Sequence, residues 1–211
     1  DIAMESVTIP MVKSFGDERF CEIEANKAIL ALKLNGGGPV HINLYTEYSH
    51  NFSIKQIPHV NTIYRHTIFD GELPNIPKGE RIVVHIGSHQ NCSDELTEAI
   101  DAFCEEYNAV VCCDHTSGYR GRFEVHSQLV CCQKQWHSTL ADAHLCIHIG
   151  EVSGDLFFIR AEHTWRVSPD GALRDTFGTL RRVFMMPELA FFRHYIKKQG
   201  KHTEYLRELK E

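Results

Sequence analysis

The run Arg81-Ile-Val-Val-His-Ile-Gly87 is short, apolar, rich in β-branched residues and closed by glycine. It shows little alternation, so it predicts a strand buried on both faces and central in a parallel sheet. Ser88–Ser93 reads as a polar turn in which Asn91 or Ser93 can cap a helix, and Leu96, Ala99, Ile100 and Phe103 then recur at helical spacing. A second apolar run, Ala109-Val-Val-Cys-Cys113, closes on Asp114-His-Thr-Ser-Gly-Tyr-Arg120. Strand, helix and strand within about forty residues predict a right-handed βαβ unit. Ligands of such sheets collect beyond the carboxyl ends of the strands. Chemistry is therefore expected in the loops 87–93 and 114–121.

The rest of the chain fits around that unit. With 211 residues there is enough sequence for one well-buried domain and an appendage. The formal charge of -6 weighs against nucleic acid as a partner, because phosphate backbones favour basic surfaces. No run approaches the ~18 apolar residues of a membrane span, and no signal peptide is visible, so no membrane partner is expected. The chain opens at Asp1 without Met, which suggests a piece of something longer. Cys112-Cys113 and Cys131-Cys132 are adjacent pairs, and Cys112, Cys113 and Cys146 fall in expected interior strands. Such cysteines behave as small hydrophobes, so reduced thiols and a cytoplasmic protein are expected.

Toward the start, Val7-Thr-Ile9 reads as a short strand. Glu22–Leu34 reads as a helix with Ile23, Ala28, Leu30, Ala31 and Leu34 on its apolar face and a stop at Asn35-Gly36. Gly36-Gly37-Gly38 is expected to be a tight helix-to-strand turn; no helix start follows it to aim amides at a phosphate. Tyr45–Gly79 is polar, with scattered Pro and Gly, and reads as a connector. Phe123–Cys132 is ambiguous, read as a helix followed by an apolar patch. His144–Ile149 is a strand, Ser153 caps a short helix through Arg160, Thr164–Val167 is a strand, and Ser168-Pro-Asp-Gly171 is a turn. Pro187 is placed at the first position of a final helix with a Leu189, Phe192, Tyr195 and Ile196 stripe, Lys197 and Lys198 near its end and Gly200 as its stop. Lys201–Glu211 reads as a charged tail. The stripe needs cover, either from the domain itself or from an absent third domain. The expected fold is α/β: a three-layer Rossmann-like domain with a mostly parallel sheet of about six strands.

His144, Cys146 and His148 share one face of a strand, but a spacing of ~6–7 Å per two residues is wide for one tetrahedral ion, and packed residues are expected instead. His85 and His89 straddle a strand end and make no better metal pair. For a dinucleotide, the first loop offers only Gly87, and Asp114 is expected to satisfy loop amides rather than hold a ribose. No Ser-His-Asp or Cys-His nucleophile can be asserted from sequence.

A helix with small residues, a Gly-rich turn and then Gly38-Pro-Val-His-Ile-Asn-Leu44 resembles the end of the pyrimidine-binding domain of thiamine-diphosphate-dependent enzymes. The His-Ile-Asn variant is most like the menaquinone-biosynthesis synthases of that family. Tyr45-Thr46 stands where the family has a Pro-Phe-type turn. Gly150, Val152-Ser153, Trp165-Arg-Val167, Asp170-Gly171, Arg174-Asp175 and Arg182-Val183 follow in the order seen in the second half of the family's Rossmann-like middle domain. The resemblance covers about residues 22–186. It implies a C-terminal piece of an upstream domain at 1–48, a connector at 49–79, the middle domain at 80–186, and a helix and tail at 187–211 leading toward an absent third domain.

The resemblance also carries expectations about chemistry. The full-length enzyme would use thiamine diphosphate and Mg, with a Gly-Asp-Gly segment and a later Asn gripping the metal. Here Gly154-Asp155-Leu156 departs from that pattern and no Asn follows Asn108. The family's catalytic Glu lies upstream of Glu22. No catalytic, cofactor-binding or metal residue is therefore expected in this chain. Asp114, Ser117 and Arg120 match the family's Asp-Pro-x-Ser-x-x-Arg loop, with His115 in place of Pro. Ser117, Arg120 and neighbouring Arg122 are thus the expected substrate-binding residues, toward the carboxylates of isochorismate and 2-oxoglutarate. The expected partners are the other two domains of the parent enzyme, within a homo-oligomer. The alternatives are the middle domain of an acetolactate-synthase or 2-oxo-acid decarboxylase relative, a free-standing nucleotide-binding module taking FAD, NAD or ADP, and a purely structural or dimerisation domain.

Overall fold

A computed structural model describes residues 2–53, 55–56, 59–77, 79–89, 91–126, 142–152, 160–196 and 203–210. It divides into two units, 1–64 and 65–211.

The first unit holds β1 (Glu5–Ile9), α1 (Phe15–Ala31) and β2 (Val40–Leu44), with β1 and β2 parallel and Val7 opposite Ile42. The helix starts at Phe15 rather than at the expected Glu22. The cause is a capping box that the apolar periodicity hides. Ser14 accepts from the Asp17 amide at 3.2 Å, and the Asp17 carboxylate accepts from the Ser14 hydroxyl and the Lys13 amide, each at 2.9 Å. At its other end the helix stops at Ala31, and a 3₁₀ turn spans Leu34–Gly36. Gly37 is obligatory in that turn: its φ is 80°, and a Cβ there would lie 2.5 Å from the Leu32 carbonyl oxygen. The buried side of α1 carries Asn26 beside Ala28 and Ala31. Asn26 donates to the Asn61 carbonyl at 3.0 Å and accepts from the Ile63 amide at 2.9 Å, while Glu22 accepts from the Asn61 amide at 2.8 Å. These two side chains stand in for a neighbouring strand and pin residues 61–63 to the helix.

The second unit is a Rossmann-like three-layer domain. Its strands are β3 (Tyr64–Thr67, straddling the boundary between the units), β4 (Ile82–Ile86), β5 (Ala109–Cys113), β6 (Glu124–Val125), β7 (Asp142–Ile149), β8 (Arg160–Val167) and β9 (Leu180–Met185). They form a seven-stranded sheet in the order β3-β9-β8-β7-β4-β5-β6, and β4 pairs parallel with both β5 and β7. The chain thus runs outward from β4 to one side and returns to continue on the other, so the topological switch point lies between β4 and β7. Every residue of β4 and β5 is buried, as their unbroken apolar runs require.

One sheet face packs on α2 (Asp94–Tyr107) and α3 (Glu188–Tyr195). Val84, Ile86, Val111, Ile147 and Phe184 meet Ile100, Phe103, Phe191 and Phe192 there. On the other face Val83, Val110 and Cys112 lie under α4 (Glu204–Lys210) through Tyr205. Ser93 caps α2 by accepting from the Leu96 amide at 3.2 Å, and Asn108 ends it in the left-handed region at φ 52°.

Several expectations are corrected here. The seven-stranded sheet agrees with the expected α/β fold of about six strands, but β3 lies inside the expected connector and Glu124-Val125 is a strand where a helix was expected. Arg160 opens β8 instead of ending a helix. The rest of that helix, from Ser153, lies outside the described residues, as do Gly154-Asp155-Leu156, Lys197, Lys198 and Gly200. Pro187 caps α3 rather than sitting inside it. The expected stripe of Leu189, Phe192, Tyr195 and Ile196 packs on the domain's own core, joined by Phe191, so no absent domain is needed to cover it. The charged tail contains a helix, α4, because Tyr205, Leu206 and Leu209 share one side of it. The six described cysteines, 21, 92, 104, 112, 113 and 146, are all free. Among the described residues no helix is long and apolar enough to cross a membrane.

Candidate functional site

The carboxyl ends of β4, β5 and β7 bring three loops together. The loop after β5 is the one that carries the expected residues, and it is anchored at both ends. At its start the Asp114 carboxylate accepts from the Thr116 amide at 2.7 Å and the Thr116 hydroxyl at 2.5 Å. Asp114 therefore satisfies loop groups, as its placement after a strand suggested. At the far end Asp101 of α2, itself buried, takes the Tyr119 hydroxyl at 2.5 Å, the Arg122 amide at 3.2 Å and Arg122 Nε at 3.1 Å. Burial, together with that carboxylate, pushes the Tyr119 phenol far above its ordinary range.

The three expected site residues share this loop but take different positions. Ser117 is buried, and its hydroxyl oxygen accepts from the Tyr119 amide at 3.2 Å, so it shapes the turn. Arg122 spreads over α2: Nη1 reaches Glu105 at 2.8 Å while Nε holds Asp101, and these carboxylates raise its pKa. Its guanidinium also lies 5.3 Å from the Phe123 ring centroid. Arg120, between them, is exposed. Among the described residues no ion pair holds it. The fold thus presents one guanidinium from a loop that is fixed on both sides, which limits the entropy lost when it grips a ligand.

The crevice at the switch point is closed by backbone. Ser88 and Glu151 form an antiparallel bridge with two N–H···O bonds of 2.8 Å, and the Gly87 amide donates to the Ile149 carbonyl at 3.0 Å. A Cβ at Gly87 would fall 1.7 Å from the Glu151 carbonyl oxygen. Glycine is needed here to admit a neighbouring loop rather than a pyrophosphate. The first turn of α2 bears Asp94 and Glu95, which repel an anion at that helix start. Both features speak against a nucleotide in the place where such sheets usually hold one.

Beneath these loops lies a row of side chains that sequence reading did not assemble. Pairing register sets Cys112, His85, His148 and Arg166 opposite one another on adjacent strands and on one sheet face. The His85 and His148 rings are 5.2 Å apart, and Phe177 packs on both, at 5.1 and 5.2 Å. Burial lowers the pKa of His85 to about 4 and that of His148 to about 3, the latter helped by the neighbouring positive groups. Arg166 is 1% exposed; it donates to the Gly150 carbonyl at 3.0 Å and reaches Glu151 at 3.3 Å and His148 Nδ1 at 3.3 Å. An arginine between Trp165 and Val167, at the buried end of its strand, was the available signal for this cluster. His144 points elsewhere, bonding Glu162 at 3.2 Å. Among the described residues no group of three His, Cys, Asp or Glu side chains is placed to hold a metal ion.

An open cleft of about 550 Å³ lies at the opposite, amino ends of β7 and β8, lined by Arg81, Asp142, His144, Arg160 and Glu162. Its charges already pair with one another, Arg160 with Asp142 at 2.5 Å and His144 with Glu162 at 3.2 Å. The carboxyl-end loops are therefore the stronger candidate.

No family model matches the chain. Segments of it are similar to 2-succinyl-5-enolpyruvyl-6-hydroxy-3-cyclohexene-1-carboxylate synthase from several bacteria. The protein of Phocaeicola vulgatus is 42% identical over 62 residues, 29% of this chain and 11% of that protein. That of Bacteroides thetaiotaomicron is 33% identical over 66 residues, 31% of this chain and 12% of that protein. That of Bacteroides fragilis is 30% identical over 94 residues, 41% of this chain and 17% of that protein. The matched segments span less than a fifth of the length of these relatives.

Proposed function

We propose that residues 80–186 are the middle, linking domain of a thiamine-diphosphate-dependent synthase that decarboxylates 2-oxoglutarate and adds the product to isochorismate. In this reading residues 1–48 complete an upstream pyrimidine-binding domain, 49–79 connect the two, and 187–211 lead toward a third domain. What supports it is the joint occurrence of a parallel Rossmann-like sheet and sequence similarity to synthases of that name. Gly154-Asp155-Leu156 departs from the family's Gly-Asp-Gly pattern and no Asn follows Asn108, so no step through thiamine diphosphate or Mg is assigned to this chain. Its part in the reaction is to hold Arg120 at a loop tip, where the guanidinium can take a substrate carboxylate in bidentate fashion. Asp101 and Asp114 keep that loop in one conformation before the substrate arrives.

The test uses the full-length parent. With thiamine diphosphate, Mg and both substrates it should form the condensation product, and Arg120→Ala should raise KM about tenfold for one substrate while kcat changes less. A parent that lacks this activity overturns the reading. Unchanged KM in the variant removes Arg120 from the site. A nucleotide-binding module is the second reading; stabilisation of the chain by micromolar FAD, NAD or ADP would favour it, against the closed crevice at Gly87.

A further inference from the structure

His89 stands where the three carboxyl-end loops meet. Its Nε2 lies 2.6 Å from a Glu188 carboxylate oxygen, and its Nδ1 lies 3.1 Å from the Asn91 carbonyl oxygen. Both partners can only accept. A neutral imidazole has one N–H, so it would set a lone pair against a lone pair at one of these contacts. Only the imidazolium satisfies both. The other oxygen of Glu188 accepts from the Gly150 amide at 3.2 Å, and the His89 amide donates to the Thr116 carbonyl at 3.1 Å. One residue therefore ties the loop after β4 to the start of α3, through α3 to the loop after β7, and by its backbone to the loop after β5.

We propose that His89 is a proton-operated latch, closed as the imidazolium and released when the ring loses its proton. Released, the ring keeps one N–H and no charge, so it can hold the Glu188 carboxylate or the Asn91 carbonyl but not both, and the ion pair with Glu188 is gone. The two side chains are 15% and 13% exposed, so water screens the pair only in part. Three other groups feel the Glu188 charge or lie beside the ring. Arg166 of β8 is drawn by Glu188 but spends its contacts on Glu151, Gly150 and His148. The Cys92 thiol is pushed up by burial and by Glu188, and so stays neutral. Thr116 contributes only a backbone carbonyl. The hydrogen bond to Glu188 raises the His89 pKa above the ordinary histidine value, against the opposing effect of burial. The latch is therefore closed at pH well below that raised value and opens as pH rises through it, and the stability it lends is lost over the same range. The inference stands on this geometry and is independent of the role given to Arg120.

The test is an NMR titration of the full chain with ¹⁵N-labelled histidine. Both ring nitrogens of His89 should carry protons on the acid side of its midpoint, and that midpoint should lie above the ordinary histidine value. Amide exchange protection at Gly150, corrected for the intrinsic pH dependence, should fall several-fold as His89 titrates. Glu188→Gln should bring the His89 midpoint down by a unit or more. His89→Gln keeps a neutral donor for Glu188 and should make protection at Gly150 independent of pH. A midpoint at or below the ordinary histidine value, or pH-dependent protection that persists in His89→Gln, overturns the proposal. Should Glu188→Gln fail to fold, the titration of the unaltered chain and the His89→Gln comparison still decide it.

Discussion

Arg166 is nearly sealed from water, and so are the two histidines beside it. Burying these groups has a cost that depends on pH. His85 and His148 hold folded values of about 4 and about 3, below the ordinary value of an unfolded histidine. An unfolded chain in mild acid protonates both rings, and folding must strip those protons. Stability is thus unaffected above about pH 6.5 and falls as pH drops from there toward pH 3. His148 alone should account for roughly 3 kcal/mol by pH 4. Urea denaturation at pH 7 and pH 4 measures this, and His148→Gln, which keeps an acceptor for Arg166, should flatten the slope. His89 works in the opposite direction, so stability should pass through a maximum near neutral pH rather than decline on one side only. Asp101 is the other residue with several dependants. Asp101→Ala strands the buried Tyr119 hydroxyl and leaves Arg122 only Glu105, and should lower stability by about 3 kcal/mol. The same change should raise amide exchange across residues 114–122 far more than across β5 itself. Neither residue announces its role in sequence: Asp101 looks like one more polar position on an amphipathic helix, and Tyr119 like one more loop aromatic.

At the scale of elements, strands were read best where burial is complete. β4 and β5 have no polar side to confuse the pattern, and their limits matched the expectation within a residue. Helices were read by their apolar stripes, which fails where a helix continues without one. The first turns of α1 are such a case, held by Ser14 and Asp17 while most side chains there face solvent. α4 is the converse: seven residues dominated by charge, with Tyr205 2% exposed against the sheet. Tyr205→Ala should lower stability by about 3 kcal/mol, read as a shift in the denaturation midpoint with an unchanged slope. β3 and β6 are four and two residues long, too short for any period to register. At the junction of two loops, Gly87→Ala drives a methyl into the Glu151 carbonyl and should destabilise the domain by about 3 kcal/mol.

For the whole molecule, the two units differ in how much core they own. The first buries Val7, Ala28, Ala31 and Ile63 around a two-stranded parallel sheet, and leaves Phe15, Phe20, Ile29, Ile42 and Leu44 exposed. Parallel sheets are stable when both faces are covered, and two strands alone are marginal. The second unit carries two core clusters across seven strands. Calorimetry of the chain should therefore show two transitions, the first unit melting at the lower temperature. A single transition would mean that the units stabilise each other.

Sequence alone determined the central βαβ unit, the α/β class and the loop on which Arg120 sits, because local burial patterns and turn chemistry write those features into neighbouring residues. Tertiary structure decided which side chains meet. His89 reaches Glu188 across 99 positions and Tyr119 reaches Asp101 across 18. Strand register alone lines up His85, His148 and Arg166. Such meetings are fixed by the order and pairing of strands, a property of the folded sheet that no single stretch of sequence carries.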